Sequence, residues 1–265
     1  MRIAPALALP LLLCTPQLVR SQSRDGDFRW ERRLGAGQVV HARNINGDIR
    51  VTSSSSGRVE IVGVRRGSSR SADRLNAAVT ETSDGIIVCI VRVDADDECD
   101  GNGYHHHSND DNDDWGNASM NLEIRLPSNV EIDASSVSGN VDVAGAQGDV
   151  RAASVSGDVR LEGLRATSIQ ARTVSGEITA GVESLSGNGP LSFKSVSGDV
   201  KLDLPRNLDA DLSMSSVSGQ LDSEFQMTLG GRTSRRRIEA RIGRGGRELS
   251  LTTVSGDVQL RMHRD

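Results

Sequence analysis

The stretch "SVSGDVKL", residues 195–202, repeats "SVSGDVRL" at 154–161 almost letter for letter. Four more copies occur: "SVSGNVDV" at 136–143, "TVSGEITA" at 173–180, "SVSGQLDS" at 216–223 and "TVSGDVQL" at 253–260. Aligned by column, they share Val137, Val155, Val174, Val196, Val217 and Val254 at the second position, and Gly139, Gly157, Gly176, Gly198, Gly219 and Gly256 at the fourth. The sixth position is always apolar: Val141, Val159, Ile178, Val200, Leu221 and Val258. Side chains alternate between faces in an extended chain, so this pattern predicts an apolar face of Val, Gly and Val turned inward. The opposite face carries Ser or Thr and an acidic or amide residue.

The spacing sets the architecture. Successive phrase glycines from 139 to 219 lie 18, 19, 22 and 21 residues apart, a period at which each unit stacks on the one before it. Half-steps occur at "QGDVRA" (147–152) and "SLSGNG" (184–189), so each coil holds at least two strands. The expectation is an all-β, single-stranded β-solenoid of about 18–22-residue coils, spaced about 4.8 Å apart. Glycine is expected at a corner or bulge, where backbones come close. "NINGDIRV" (44–51) is a looser copy, and residues 28–93 read as opening coils that cap one end of the stack, because an exposed end is an open edge. Residues 68–81 carry the only helical pattern. The phrase at 253 follows the one before it by 37 residues, and the gap reads as one coil enlarged by a loop.

Composition agrees with thin stacked sheets. Hydrophobic residues make up 36% and aromatic residues 2%, against 28 glycines. The net charge of −5 argues against nucleic acid as a partner. "MRIAPALALPLLLCTPQLVRS" (1–21) has an early arginine and a short apolar run, the layout of a secretory signal peptide that is too short to span a membrane. Lipid attachment at Cys14 is the minor alternative, disfavoured by the bulky Leu13 before it. Residues 22–37 then read as a linker and 38–262 as the solenoid domain. Export to the periplasm, the outer surface or the medium leaves Cys89 and Cys99 as a disulfide pair.

Two segments break the pattern. Residues 94–117, "DADDECDGNGYHHHSNDDNDDWGN", form an Asp- and His-rich surface insert. His105, His106 and His107 offer imidazoles, and Asp110, Asp111, Asp113 and Asp114 offer carboxylates, to zinc or calcium. The spacing fits neither an EF-hand nor a compact site, so no cofactor is expected and weak divalent binding is the alternative. Residues 230–247 are Arg-rich: Arg232, Arg235, Arg236, Arg237, Arg241, Arg244 and Arg247 read as a charged edge strand, or as a patch for an anionic surface.

Catalysis is not expected. Six Ser-Gly-Asp units are six turns, and the histidines outside the insert, His41 and His263, lie near opposite ends of the repeat region. A column of Asn140, Asp158, Glu177, Asp199, Gln220 and Asp257 places like charges about 5 Å apart. Hydroxyls, backbone N–H groups or the cations of Arg160 and Lys201 must offset that repulsion. The repeated phrases, with "IGRGGRELSLTTVSGDVQL" at 242–260, resemble the bacterial putative adhesin family over residues 38–262. The resemblance implies an exported, non-enzymatic β-solenoid of the envelope, with no site residues to carry over. A surface for adhesion or protein contact is the functional expectation, with self-association through the solenoid ends as one possible form. The alternatives are a polysaccharide-acting enzyme on a β-helix and a divalent-cation-binding surface protein.

Overall fold

The computed structural model describes residues 27–93, 97–100, 103–106, 118–230 and 233–263. The expected signal peptide, with Cys14, lies outside them. The opening strands are β1 (Phe28–Arg32), β2 (Val39–Asn46), β3 (Ile49–Ser54), β4 (Val59–Arg66), β5 (Leu75–Glu81) and β6 (Gly85–Arg92). A hairpin follows, β7 (Asp97–Asp100) and β8 (Gly103–His106), and then β9 (Ser119–Pro127). The repeats supply β10 (Glu131–Ser138), β11 (Val141–Ala144), β12 (Val150–Ser156), β13 (Val159–Ala166), β14 (Ile169–Ser175), β15 (Ile178–Leu185), β16 (Leu191–Lys194), β17 (Val200–Leu204), β18 (Ala210–Ser218) and β19 (Leu221–Ser223). The chain closes through β20 (Met227–Leu229), β21 (Arg237–Ile242), β22 (Glu248–Ser255) and β23 (Val258–Met262).

Each coil gives one strand to each of two mostly parallel sheets, as the period predicts. One sheet runs β1-β4-β9-β3-β11-β13-β15-β17-β23-β19, and the other runs β20-β21-β18-β22-β16-β14-β12-β10-β2-β6-β5. Between them lies a thin core in which residues of like kind stack coil on coil. Val141, Val159, Ile178, Val200 and Val258 form one buried column, and Val150, Ile169, Leu191 and Leu249 another. The first end is capped: β9 and β6 continue the two sheets in parallel, and β4 with β1 beside it, and β5, close them antiparallel. Phe28–Arg32, in the segment read as a linker, is thus an edge strand of this cap.

Three expectations change. The six repeat valines do not face the core: Val137, Val155, Val174, Val196, Val217 and Val254 are 44–57% exposed. Period two holds only within a strand, and each phrase spans two strands. The chain turns between Ser138 and Val141, so the inward positions are Ile132, Ala134 and Ser136 before the corner and Val141 and Val143 after it. Parity shifts by one across the turn, which puts the serine in and the valine out.

Stack order is the second change. The coil of the phrase at 253 (β22 and β23) does not follow that of 216 but lies between it and the coil of 195, pairing in parallel with β16 and β17 on one side and β18 and β19 on the other. The residues between the last two phrases form no enlarged coil. They supply β21, antiparallel to β18, and β20, antiparallel to β21, which close the second sheet. Third, only Ser69–Ala72 of residues 68–81 is helical, and Leu75–Glu81 is a strand paired to β6. Leu75 and Ala77 alternate into the core, and sheet pairing outweighs a weak local helical preference.

Candidate functional site

The corner of each phrase is the most regular feature on the molecule. Its buried hydroxyl donates a hydrogen bond to the glycine carbonyl of the adjacent coil: Ser136 to Gly47 (2.9 Å), Ser154 to Gly139 (2.8 Å), Thr173 to Gly157 (2.9 Å), Ser195 to Gly176 (3.0 Å), Thr253 to Gly198 (2.9 Å) and Ser216 to Gly256 (2.9 Å). A small donor at this position satisfies a carbonyl that the turn takes out of the sheet ladder. At the first coil Asn44 takes over, its amide bonding the Gly47 and Met120 carbonyls. Glycine is required because the turns nest: a Cβ on Gly176 would lie 2.1 Å from the Gly157 oxygen, and one on Gly198 1.9 Å from that of Gly176.

The acidic column is likewise structural. The Asp48 carboxylate accepts the Asn140 N–H (2.8 Å), Asn140 Oδ1 that of Asp158 (2.9 Å), and Asp158 that of Glu177 (2.9 Å). Asp199 accepts the Asp257 N–H (2.9 Å), and Asp257 that of Gln220 (2.8 Å). Arg160 pairs with Asp158, and Lys201 lies 3.0 Å from Glu177 and 3.2 Å from Asp199. Backbone N–H groups and these two cations are therefore what offsets the repulsion, while the serines serve the glycine carbonyls. The Asp257 N–H, then Lys201, hold the Asp199 carboxyl below the usual carboxylate range. The Lys201 amine is raised, first by its hydrogen bond to Glu177.

Between hydroxyls and carboxylates, the repeat valines form a ladder along the edge of the solenoid. In spatial order the phrases stack as 136, 154, 173, 195, 253 and 216, with half-buried Ile45 at the foot. Side chains from neighbouring parallel strands lie about 4.8 Å apart. The ladder is bordered by Arg172 and Lys194 on one side; on the other come the exposed Ser138, Ser156, Ser175, Ser197, Ser218 and Ser255, and beyond the glycines the acidic column.

The outer face of the second sheet is a polar wall. Ser213, Ser250, Ser192, Gln170, Arg151, Asp133 and His41 stand in one register row, and Ser215, Thr252, Lys194, Arg172, Ala153, Ser135 and Arg43 in the next. A shallow hollow of about 380 Å³ lies on it, lined by Arg172, Ser192, Phe193, Lys194, Ser250 and Thr252. At one end His41 bridges Asp133 (3.3 Å) and Asp84 (3.2 Å), while Arg43 grips both Asp133 oxygens at 3.0 and 2.9 Å. Burial opposes the Asp133 charge, but the Arg43 and His41 contacts prevail and its pKa is lowered. Asp84 is lowered by its bond from Thr82 and then by His41. Glu131 nearby is raised by burial and the charge of Asp149. Through these contacts His41 and Arg43 clamp neighbouring coils together.

Cys89 and Cys99 form the expected disulfide, with Cα atoms 5.8 Å apart, fastening the insert to β6. Within the insert His105 pairs with Asp100 at 3.1 Å, and His106 belongs to β8. His107, Asp110, Asp111, Asp113 and Asp114 lie outside the described residues.

The Arg-rich segment divides. Arg244 and Arg241 pair with Asp209 and Asp211, and Arg237 with Glu239; Arg235 and Arg236 are exposed on the edge, and Arg232 lies outside the described residues. Arg247 is buried, its guanidinium donating to the carbonyls of Thr167 (2.6 Å), Ser186 (2.9 Å), Gly187 (2.5 Å) and Gly189. It ties the turns opposite the ladder together, and burial lowers its pKa. Gly243, Gly245 and Gly246 are left-handed at φ 56°, 75° and 107°. The turn they make offers the Arg244 and Gly246 N–H groups to Asp209 and Asp211. The role of Arg247 was invisible to a reading by composition; its only sequence signal is the "IGRGGR" motif, which holds the turn that delivers it.

Residues 19–261 match the model of the Toastrack DUF4097 family. The chain belongs to the Toastrack DUF4097 family. No curated protein matches it significantly. Among solved structures it resembles a putative cell adhesion protein from Clostridium sporogenes, at 9% identity and a TM-score of 0.50, covering 89% of this chain and 100% of that one. It also resembles a putative adhesin from Bacteroides fragilis at 11% identity, covering 91% and 98%, with a TM-score of 0.39. The first likeness shows that the fold is shared at 9% identity.

Proposed function

We propose that this Toastrack protein is an exported, non-enzymatic component of the bacterial envelope that acts as an adhesin-like contact scaffold. The observation that carries the reading is the outer wall of the second sheet. Its hydroxyls and charges stand in straight register rows across seven coils rather than converging on a cleft. Such a surface suits broad polar contact with a macromolecular partner or an anionic envelope layer, whereas glycoside chemistry needs two carboxyls held across one sugar-sized gap. The leader-like residues 1–21 and the disulfide support export. The Clostridium protein of the same fold, named a putative cell adhesion protein, is in keeping with this role.

The test has two arms. Fractionation of bacteria producing the full chain should place a shortened product outside the cytoplasm. The purified product, fluorescently labelled, should bind envelope preparations saturably, and Lys194→Glu with Arg172→Glu should weaken that binding. An uncut cytoplasmic product, or release of reducing ends from a polysaccharide panel, would overturn the proposal.

A further inference from the structure

The repeat keeps a valine out of the core at every coil, where the core would reward it and water does not. A serine or threonine would satisfy the same corner, yet the six phrases all place valine there. The result is an unbroken row of six valines, each 44–57% exposed, and contiguous exposed apolar patches on soluble proteins mark interaction sites. A partner for such a strip must offer apolar groups every 4.8 Å or so, with the same twist. The surface that meets this condition by construction is the same strip on another copy, and identical ladders pack into dry zippers.

The borders of the strip select how two copies meet. On one side Arg172 and Lys194 make no ion pair among the described residues. On the other, Arg160 and Lys201 serve Asp158, Glu177 and Asp199, and Arg160 also lies 3.7 Å from Asp142, so the column keeps a net negative charge. A two-fold axis parallel to the solenoid sets the basic border of each copy against the acidic border of its partner at equal height. Arg172 then faces the partner's Glu177, and Lys194 the partner's Asp199. A perpendicular axis sets like against like. Two-fold contacts are isologous, so each such pairing occurs twice. A specific interface buries at least about 500 Å² per copy, so the strip must be joined by its charged borders to form one.

We infer that the protein forms a side-by-side parallel homodimer through its valine ladder, with the Arg172 and Lys194 edge of each outer wall drawn into the contact and the Ser192 and Gln170 row left open. This goes beyond the proposed function and does not depend on it, since it concerns the purified protein alone. Sedimentation equilibrium of the purified protein should show a monomer–dimer equilibrium at concentrations of about 10–100 μM. Val174→Ser with Val196→Ser, both exposed and harmless to folding, should weaken it at least about tenfold. Arg172→Glu and Glu177→Arg should each weaken it, and the double exchange should restore it to within about threefold, because swapping both borders recreates the pairing. Single Val155→Cys and Val217→Cys chains, far apart in the stack, should each crosslink to their own kind under mild oxidation. A monomer at every concentration, a dimer indifferent to the valine and charge changes, or crosslinking confined to a central rung such as Val196→Cys would overturn the inference.

Discussion

At the scale of the residue, the phrase divides its work differently from its hydropathy. The hydroxyl of Ser195 is buried and the side chain of Val196 is 44% exposed, because a carbonyl freed at the corner must be bonded and a small donor does this at short range. Each such bond contributes about 1 kcal/mol, whereas leaving the buried carbonyl unpaired costs more. Val196 and Val200 therefore have opposite tolerance, although both are repeat valines four positions apart. Val196→Asp should change the free energy of unfolding by no more than about 0.5 kcal/mol. Val200→Asp, placing a carboxylate in the thin core, should cost several kcal/mol. Urea denaturation of the two variants decides between this assignment and one with all repeat valines inside, which requires both to be severe.

At the scale of the element, a corner is a set of three parallel columns running along the stack: hydroxyl, glycine and carboxylate. The carboxylate column links stability to pH. Asp199 is lowered in the folded chain relative to its unfolded value of about 3.9, so its contribution is fully present above that value and is lost as pH falls through the folded pKa. Asp133, Asp209 and Asp211 shift the same way. The urea midpoint should thus be nearly flat from about pH 7 to 5 and fall below about pH 4. Asp199→Asn keeps an oxygen for the Asp257 N–H, as Asn140 already does for Asp158, and should make the acid fall shallower. An unchanged pH profile in that variant would remove Asp199 from the linkage. The column itself was legible from the Asx pattern, including the roles of Arg160 and Lys201. The direction of the first hydroxyl in each phrase was not, because alternation says nothing about the turn between two strands, whereas the second serine of each phrase, such as Ser197, faces water as the pattern predicts.

At the scale of the molecule, the decisive feature is that the last coil in sequence is not the last in space. β22 and β23 fill a slot between two earlier coils, so removing residues 248–265 would leave a gap in both sheets rather than a shorter solenoid. That truncation should abolish the cooperative thermal transition, whereas a stack built in chain order would lose one end coil and still melt as a unit. Circular dichroism of the shortened chain measures the difference. By itself the sequence determined the all-β class, the coil length, the two strands per coil, the disulfide and the need for glycine, because each follows from a local period or from the chemistry of one residue type. The tertiary structure alone decided which side of each corner faces water, the order in which coils stack, and the burial of Arg247 among carbonyls contributed from 167 to 189. Those depend on contacts between residues distant in the chain, and one repeated phrase fits equally well against any other copy of itself.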